Sequence, residues 1–375
     1  MLKNLINVIK NSFKPIQLNQ VIFFITGQCN LRCQHCFYWR NLSCKEDLQY
    51  QEIVKISKNL PSFIFLLLSG GEPFLRKDLV KIVKLFRANN CIRAVGIPTN
   101  GVLTKTITEE VEKILEIDPR LMVYVYFSLD GTQEVHEKIR KTKNCFKKTL
   151  ETIKQINKLK KNYKNLSVSI NTVISQGNID NIKQLTDFIF AQGKNFVDGH
   201  YFEIVRGSPP NPSIKKINQK KIKLLYEKTI LPYQEKLWRQ REGNKIVNLL
   251  LANLAKSNFC YIYKTQYDNF FENKAWIMPC LAGQSIIVIN HRGELQLCEL
   301  RKPIADLRKE NYNVAKILRG KGFKQELEKI KREKCYCTHV CFLTESMYKS
   351  PKVVLKQLPL LWLKNLFNCK INTLF

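Results

Sequence analysis

Apolar runs alternate with helix-forming segments along the first 205 residues, and this alternation limits the fold more than any other feature of the chain. Each apolar run has the length of a buried strand. The predicted strands cover residues 21–26, 63–68, 92–97, 121–129, 166–174 and 196–205. The predicted helices cover residues 48–60, 77–87, 105–116, 146–161 and 179–191. Such alternation predicts parallel β/α units, in which the loops after the strands meet at one edge of the sheet.

A group of three cysteines, Cys29, Cys33 and Cys36, follows the first predicted strand. Thiols at this spacing can converge on one metal centre, and iron–sulfur clusters are normally held by four Cys thiolates. Three local thiols therefore predict a cubane with one iron left for a ligand that is not protein. The spacing alone leaves two alternatives open, a zinc site and buried cysteines without a metal.

The segment Ser69-Gly70-Gly71-Glu72-Pro73 follows the second predicted strand. Its two glycines allow a backbone to approach a ligand closely, and Glu72 supplies a carboxylate that could pair with an amine. The three-cysteine loop and this segment together resemble the radical S-adenosylmethionine (radical SAM) enzymes. The resemblance implies that the three cysteines hold a [4Fe–4S] cluster whose open iron binds the amine and carboxylate of SAM. It also implies a SAM-binding segment made of Gly70, Gly71, Glu72 and Pro73.

Polar residues at the later strand ends extend the resemblance. An acidic residue after a strand can accept hydrogen bonds from ribose hydroxyls, and an Arg side chain forms a bidentate fork with a carboxylate. The family pattern implies that Arg140 pairs with the SAM carboxylate. It implies further SAM contacts from Asn100, Ser128, Asp130 and Asn171. The alternative for each of these residues is a turn residue or a surface salt bridge.

A second group of five cysteines lies in the C-terminal third: Cys280, Cys298, Cys335, Cys337 and Cys341. Cys280 precedes a predicted hairpin, and Gly293 in its turn is followed by Cys298. This arrangement resembles the SPASM and twitch extensions of radical SAM enzymes, which bind auxiliary [4Fe–4S] clusters. Five thiols compete for four positions, so one auxiliary cluster is implied, with Cys335 and Cys337 as the ambiguous pair. A structural zinc would use the same residue types.

The resemblance implies an α/β fold, a partial (β/α)6 TIM-like barrel with a C-terminal twitch/SPASM-like auxiliary cluster domain. The predicted divisions are an amphipathic lead (1–20), the barrel (21–205), a helical bridge (206–275), the cluster domain (276–345) and a basic apolar tail (346–375). In the tail, Trp362 and lysines beside apolar residues suit either a membrane interface or packing on the barrel, and we favour packing.

The formal net charge is +31, a balance that would suit nucleic acid, an anionic membrane or an acidic substrate. The excess is mostly Lys spread along the predicted helices, as expected for solvated faces, so a nucleic-acid partner is not expected. No stretch reaches the roughly 18 apolar residues of a membrane span, and no signal peptide is recognisable. We therefore expect a cytoplasmic protein, with peripheral membrane contact through the tail as the alternative.

The resemblance implies reductive cleavage of SAM to methionine and a 5′-deoxyadenosyl radical, which abstracts a hydrogen atom from the substrate. Family analogy favours peptide or protein maturation, or cofactor biosynthesis. A sugar, nucleotide or lipid-linked substrate is the alternative, and a non-catalytic Fe–S or zinc-binding scaffold is the alternative of a different class. The expected partners are a reductant such as ferredoxin or flavodoxin and a peptide or small-molecule substrate.

Overall fold

A computed structural model describes residues 10–43, 46–240 and 244–366. Six parallel strands form a sheet in their chain order, each hydrogen-bonded to the next. They are β1 (Gln20–Thr26), β2 (Phe65–Gly70), β3 (Ala94–Thr99), β4 (Met122–Ser128), β5 (Leu166–Ile174) and β6 (Gly199–Ile204). This order confirms the predicted α/β fold with a partial barrel. Among the described strands the sheet does not close on itself, so a complete TIM barrel is not formed.

Helices connect the strands: α1 (Tyr50–Asn59), α2 (Leu79–Asn90), α3 (Thr104–Leu115), α4 (Gln133–Arg140), α5 (Cys145–Leu159) and α6 (Ile182–Ala191). The prediction missed α4. It has only eight residues and buries only three of them, so its sequence shows little apolar periodicity.

The two faces of the sheet differ in chemistry, as β4 shows. Val123, Val125 and Phe127 are fully buried, while the alternate positions are less buried. Tyr126 and Ser128 belong to those alternate positions and line an internal cavity. Because successive strand side chains point to opposite faces, the fully buried set of β4 faces the helices and its alternate set faces the barrel interior.

The bridge between barrel and C-terminal region is helical. It contains a 3-10 turn (Pro212–Lys215), α7 (Gln219–Leu225), a π-helical turn (Tyr226–Ile230), α8 (Leu231–Arg239) and α9 (Lys245–Glu272). Gln234 Nε2 donates to the backbone oxygen of His200 at 2.7 Å and to the Tyr263 hydroxyl at 2.7 Å. These bonds join α8 and α9 to β6, the last strand of the barrel.

The C-terminal region continues the same sheet. Strand β7 (Ile286–Ile289) pairs in parallel with β1, and β8 (Glu294–Gln296) and β9 (Ala305–Asp306) follow antiparallel. The strand order is therefore β6-β5-β4-β3-β2-β1-β7-β8-β9. Gly293, with φ of +83°, makes the turn between β7 and β8, where a side chain would be strained. The helices that follow are α10 (Val314–Arg319), α11 (Lys321–Arg332) and α12 (Val340–Tyr348).

The tail packs against the bridge where it is described. A π-helical turn (Val353–Gln357) leads into α13 (Leu358–Leu366), which lies on α9. Leu358 and Leu361 are buried there, and Asn365 Nδ2 donates to Ser257 Oγ at 2.9 Å. None of the described helices is long and apolar enough to cross a membrane. The amphipathic lead was predicted over residues 1–20; its residues 1–9, and residues 367–375 of the tail, lie outside the described part of the chain.

Candidate active site

The loop after β1 places three free thiols, Cys29, Cys33 and Cys36, on the wall of one cavity of about 490 Å³. The loop is fixed by its own backbone, because the N–H of Cys36 donates to the oxygen of Cys33 at 3.3 Å. It is also fixed from outside, since the N–H of Gln34 donates to the oxygen of Ile139 at 2.9 Å. The thiols predicted from spacing are thus brought together at the carboxyl end of the sheet.

Burial raises the pKa of the Cys29 thiol to about 11 and that of Cys36 to about 12. The pKa of Cys33 is also raised by burial, against the lowering effect of Arg140. Such thiols are protonated near neutral pH unless a metal withdraws their protons. Thiolate ligands of this kind, next to room for a cluster and a small molecule, fit a [4Fe–4S] centre held by these three residues.

Gly70 and Gly71 allow the end of β2 to touch the backbone of the cysteine loop. A Cβ on Gly70, which has φ of +123°, would lie 2.3 Å from the oxygen of Thr26. A Cβ on Gly71 would lie 1.9 Å from the oxygen of Gln28. The N–H of Gly71 donates to Thr26 at 2.9 Å and that of Glu72 donates to Gln28 at 2.8 Å. The glycines therefore position the cysteine loop directly, and both also line the cavity.

The Glu72 carboxylate joins the ends of β2 and β3. Its Oε1 accepts a hydrogen bond from the Thr99 hydroxyl at 2.8 Å, and its Oε2 accepts from the Asn100 N–H at 2.8 Å. The N–H of Phe74, in the 3-10 turn that Pro73 begins, donates to Oε1 at 3.3 Å. Burial nevertheless raises the pKa of Glu72 to about 7. Pro73 is buried and begins this turn without lining the cavity.

Three other predicted SAM contacts, Asn100, Ser128 and Asn171, line the same cavity. Ser128 and Asn171 are paired in the register of β4 and β5, so their side chains lie side by side. Asn100 Nδ2 donates to Asn30 Oδ1 at 2.8 Å and so ties the third strand end to the cysteine loop. The fold thus gathers on one wall residues that belong to or directly follow three strands, β3, β4 and β5.

Asp130, which was predicted to contact the SAM ribose, does not line the cavity. Asp130 is fully buried behind the cavity wall, where its Oδ2 accepts from Arg140 Nε at 2.7 Å and its Oδ1 accepts from the Val173 N–H at 3.1 Å. A direct contact with a ribose does not fit this geometry. Burial raises the pKa of Asp130, but the Arg140 guanidinium, helped by His35 and His136, more than offsets it and brings the pKa to about 2.

Arg140, unlike Asp130, does line the cavity. It lies at the end of α4, and its Nη1 is 3.5 Å from the Cys33 sulfur while its Nε is held by Asp130. Burial opposes its charge, but Asp130 keeps its pKa above the usual range. Asp130 therefore orients a permanently charged guanidinium between the thiol loop and the cavity.

The five C-terminal cysteines are all free thiols in the same region. Cys280 precedes β7, and Cys298 follows β8. Cys335 and Cys337 lie in the loop between α11 and α12, and Cys341 lies in the first turn of α12. Only Cys341 of these five lines the cavity that holds the three N-terminal thiols.

Sequence reasoning missed a buried charged cluster between the barrel and the second cysteine group. Arg206 Nε donates to Glu299 Oε1 at 2.8 Å, and its Nη1 donates to Glu203 Oε2 at 2.5 Å. His339 Nε2 lies 3.2 Å from Glu299 Oε1. The only sequence signal was the position of His339 between two cysteines. The pairing itself depends on the fold, because its members come from β6, the bridge, the end of β8 and the start of α12.

No three His, Cys, Asp or Glu side chains of the described residues are arranged to hold a single metal ion. A single zinc needs its thiolates about 2.3 Å from one point, whereas a cubane binds each thiolate through a different iron.

An open parallel barrel with a three-thiol loop and a Gly-Gly-Glu segment at one mouth defines an enzyme that binds SAM beside an iron–sulfur cluster. In agreement, residues 23–189 match the Radical SAM superfamily. Residues 23–189 therefore form a radical SAM domain, and with this fold and site the protein is a radical SAM enzyme.

The relatives cover different shares of the chain. An uncharacterized protein of Methanocaldococcus jannaschii is 27% identical over 304 residues, 76% of this chain and 93% of that protein. A cysteine-type anaerobic sulfatase-maturating enzyme of Clostridium novyi is 30% identical over 200 residues, 48% of this chain and 50% of that enzyme. The solved structure of native anSMEcpe with bound AdoMet has a TM-score of 0.54 at 14% identity and covers 95% of this chain and 99% of that one. That likeness shows the fold.

Proposed function

We propose that this enzyme modifies a peptide or protein side chain, and that SAM and substrate share the cavity bounded by the barrel mouth and α12. One observation carries the proposal. In a chain of net charge +31, the cavity is lined by four carboxylates, those of Glu72, Glu203, Glu299 and Glu345, and by two guanidinium groups, those of Arg140 and Arg206. A site with this charge balance repels a polyanionic substrate and accepts a neutral or cationic one.

The likeness to a sulfatase-maturating enzyme also supports a peptide or protein substrate, because that relative acts on a protein. The chain spans half the length of that relative, so the likeness supports the chemistry and leaves the identity of the peptide open. A nucleic-acid substrate, the alternative considered from the net charge, conflicts with the carboxylates of the cavity.

We assign the SAM site to the residues that surround the three thiols. Cys29, Cys33 and Cys36 would hold the [4Fe–4S] cluster. When bound there, the cluster supplies the electron that cleaves SAM into methionine and a 5′-deoxyadenosyl radical. The SAM amine would meet Glu72, and the SAM carboxylate would meet Arg140, whose fork is oriented by Asp130. Ser128, Asn100 and Asn171 would supply hydrogen bonds to the remaining polar groups.

The apolar side chains of the cavity wall have a different proposed role. Ile22, Phe24, Phe65 and Leu67 line the cavity beside the polar groups. Apolar walls limit water around a reactive intermediate and strengthen the nearby charge interactions. Tyr126 and Tyr201 extend this wall toward α12, where we place the substrate.

We propose an auxiliary [4Fe–4S] cluster at the second cysteine group. The donor set fits, because it provides more than the four thiolates that such a cluster takes. The reductant is proposed to be an acidic carrier such as ferredoxin or flavodoxin, since the basic surface of the chain would attract it electrostatically.

The substrate class can be tested with the anaerobically reconstituted enzyme, a reductant and SAM, by measuring 5′-deoxyadenosine. A lysate of cells that carry the gene is fractionated, and each fraction is assayed for faster 5′-deoxyadenosine formation than with SAM alone. We expect the stimulating fraction to lose its effect after protease digestion and to keep it after phosphatase treatment. Stimulation that survives protease and is lost after phosphatase would contradict the peptide proposal.

A further inference from the structure

Of the four carboxylates that line the cavity, three already have a charged partner or a proposed role. Glu203 and Glu299 both accept hydrogen bonds from Arg206, and Glu72 belongs to the proposed SAM site. The fourth is Glu345, a half-buried residue in the second turn of α12. It forms no salt bridge among the described residues, although the chain has 62 Lys and Arg for 31 Asp and Glu.

Two neutral side chains hold the Glu345 carboxylate in place. Asn19 Nδ2 donates to Oε1 at 3.3 Å and to Oε2 at 3.2 Å, and the Ser285 hydroxyl donates to Oε1. The N–H of Asn19 also donates to the Ser285 oxygen at 2.9 Å, so the sheet places both donors. Lys349, one helical turn after Glu345, instead donates to the Asn11 oxygen at 3.2 Å. The carboxylate is therefore oriented on the cavity wall without a counter-charge from the described residues.

Two more polar groups of this part of the wall lack partners at hydrogen-bond distance among the described residues. The Thr344 hydroxyl, next to Glu345 on α12, is buried and lines the cavity. Gln20 is 7% exposed and lines the cavity, and its Nε2 has no such partner, although the Cys341 thiol lies near this side chain. Buried polar groups are normally paired, so open groups on a cavity wall indicate that a ligand completes them.

These groups lie at the opposite end of β1 from the three N-terminal thiols. Gln20 begins β1, and Thr26 ends it just before the cysteine loop. At about 3.3 Å per residue, the two ends of the strand are roughly 20 Å apart. A ligand that contacts Glu345 and also reaches the SAM site is therefore extended over several residues, since a chain spans at most about 3.3–3.6 Å per residue.

We propose that Glu345 binds a cationic side chain of the substrate, an ammonium or guanidinium group, at the end of the cavity opposite SAM. Both groups carry only hydrogen-bond donors, and the Glu345 carboxylate and the Thr344 hydroxyl accept them. Gln20 Nε2 supplies a donor for a backbone carbonyl of the same peptide. The inference rests on the proposed function and narrows it to a peptide with a Lys or Arg several residues from the side chain that reacts.

The first test titrates the reconstituted holoenzyme, with SAM bound, calorimetrically with two pairs of probes. Nα-acetyl-lysine amide and Nα-acetyl-norleucine amide differ only in the ammonium group, and the amides of Nα-acetyl-arginine and Nα-acetyl-citrulline differ in the guanidinium group. We expect wild type to bind at least one cationic probe roughly three- to tenfold more tightly than its neutral counterpart, because the carboxylate is half-buried. Equal binding within both pairs would overturn the inference, and this outcome needs no variant.

Three variants locate the preference. Glu345→Gln removes the charge and should abolish the preference for the cationic probe. Glu310→Gln, the matched control, removes a carboxylate that pairs with Lys316 outside the cavity and should keep the preference. Ser285→Ala removes a donor to Glu345 but not the charge, so it should lower the melting temperature and keep the preference. A preference that survives Glu345→Gln, or that is lost equally in Glu310→Gln, would contradict the assignment.

SAM itself carries an ammonium group, so the SAM affinity of Glu345→Gln is measured as well. We expect an affinity close to that of the wild type, because Glu345 and the proposed SAM site lie at opposite ends of β1. A loss as large as that of Glu72→Gln would assign Glu345 to SAM and overturn the inference.

A last measurement separates this inference from the proposed function. The cell fraction that stimulates 5′-deoxyadenosine formation is treated with acetic anhydride, which blocks amines, or with 2,3-butanedione, which blocks guanidinium groups. We expect one of the two treatments to reduce the stimulation. A fraction that is destroyed by protease and insensitive to both reagents would overturn the inference alone. A fraction that survives protease and is lost after phosphatase would overturn the proposed function and this inference with it.

Discussion

At the scale of single residues, Glu72 combines a structural role with its proposed contact to SAM. Its carboxylate accepts hydrogen bonds at the ends of β2 and β3, and it lines the cavity. A charge-assisted hydrogen bond contributes about 1.5–3 kcal/mol, so Glu72→Gln should weaken SAM binding roughly ten- to a hundredfold while the cluster is retained. SAM titration followed by EPR measures this change.

The matched control for Glu72 is Thr99→Val, which removes a donor to the same carboxylate without removing its charge. We expect it to lower the melting temperature and to leave SAM affinity close to that of the wild type. Equal SAM affinity in wild type and Glu72→Gln would mean that Glu72 only joins the two strand ends.

The raised pKa of Glu72 also predicts a pH dependence of stability. Burial moves this pKa from 4.5 to about 7, so between these values the folded cluster-free protein holds a proton that the unfolded chain has released. The stability that this group contributes is therefore present below pH 4.5 and is lost as the pH rises to about 7. Without iron, the melting temperature of the wild type should fall relative to that of Glu72→Gln as the pH rises through this range; a constant difference between the two would contradict the shift.

The buried pair of Asp130 and Arg140 is best tested by a double-mutant cycle. Removing one partner of a buried ion pair costs about 3–5 kcal/mol, because the other charge remains unpaired. We expect Asp130→Asn and Arg140→Met each to lower the free energy of unfolding strongly, and the double variant to cost less than the sum of the two. Urea denaturation measures the coupling, and additive effects would show that the pair does not act as a unit.

These residues show what the sequence could and could not predict about the site. The spacing of Cys29, Cys33 and Cys36 places them in one loop, so their convergence follows from local geometry. The partner of Asp130 was not predictable, because α4 was missed and sequence separation from Arg140 gives no distance. The glycines at 70 and 71 were expected to face a ligand, and they also make close contacts with the end of β1 and the start of the cysteine loop.

At the scale of secondary-structure elements, the strands were predictable because each is a short apolar run followed by turn residues. The pairing of β7 with β1 was not, since Ile286–Ile289 reads as one arm of a hairpin and nothing local indicates a second, parallel neighbour. The bounds of α9 within the predicted helical bridge were not predictable either. Its second half carries buried tyrosines at many positions rather than an apolar stripe, so helical periodicity is weak there.

The helix α13 offers a test of the two predictions for the tail. Leu358 and Leu361 are buried against α9, whereas Leu360 and Leu363 are 48% and 44% exposed on the same helix. Replacing the buried pair by Asp should destabilise the protein, because unpaired charges would be buried. Replacing the exposed pair by Asp should leave the melting temperature nearly unchanged.

The exposed pair, Leu360 and Leu363, also tests whether the tail contacts a membrane surface. If the exposed leucines bind a membrane interface, full-length protein should co-sediment with anionic liposomes, and Leu360→Asp with Leu363→Asp should abolish this. Full-length protein that never binds such liposomes would leave packing on α9 as the role of the described part of the tail.

At the scale of the whole molecule, one continuous sheet joins the two regions that carry the cysteine groups. The barrel strands and the C-terminal hairpin share the β1–β7 pairing, and all four residues of β7 are buried. The barrel and the region after residue 275, which the sequence predicted as separate divisions, therefore share one continuous sheet. Spacing could locate the second cysteine group but could not show that its hairpin extends the barrel, because pairing between strands so distant in the sequence leaves no local signal.

This continuity predicts that the two regions unfold together. Removal of residues 276–375 would expose the β1 edge and the apolar side chains that β7 and α12 cover, so the truncated chain should aggregate or melt at a much lower temperature. The intact cluster-free protein should unfold in a single transition that coincides for far-UV circular dichroism and tryptophan fluorescence. Two separated transitions, or a soluble fragment of residues 1–275 with the stability of the whole chain, would show that the regions are independent domains. In that case the cavity between the three-thiol loop and α12 would be an interface between domains instead of part of one continuous fold.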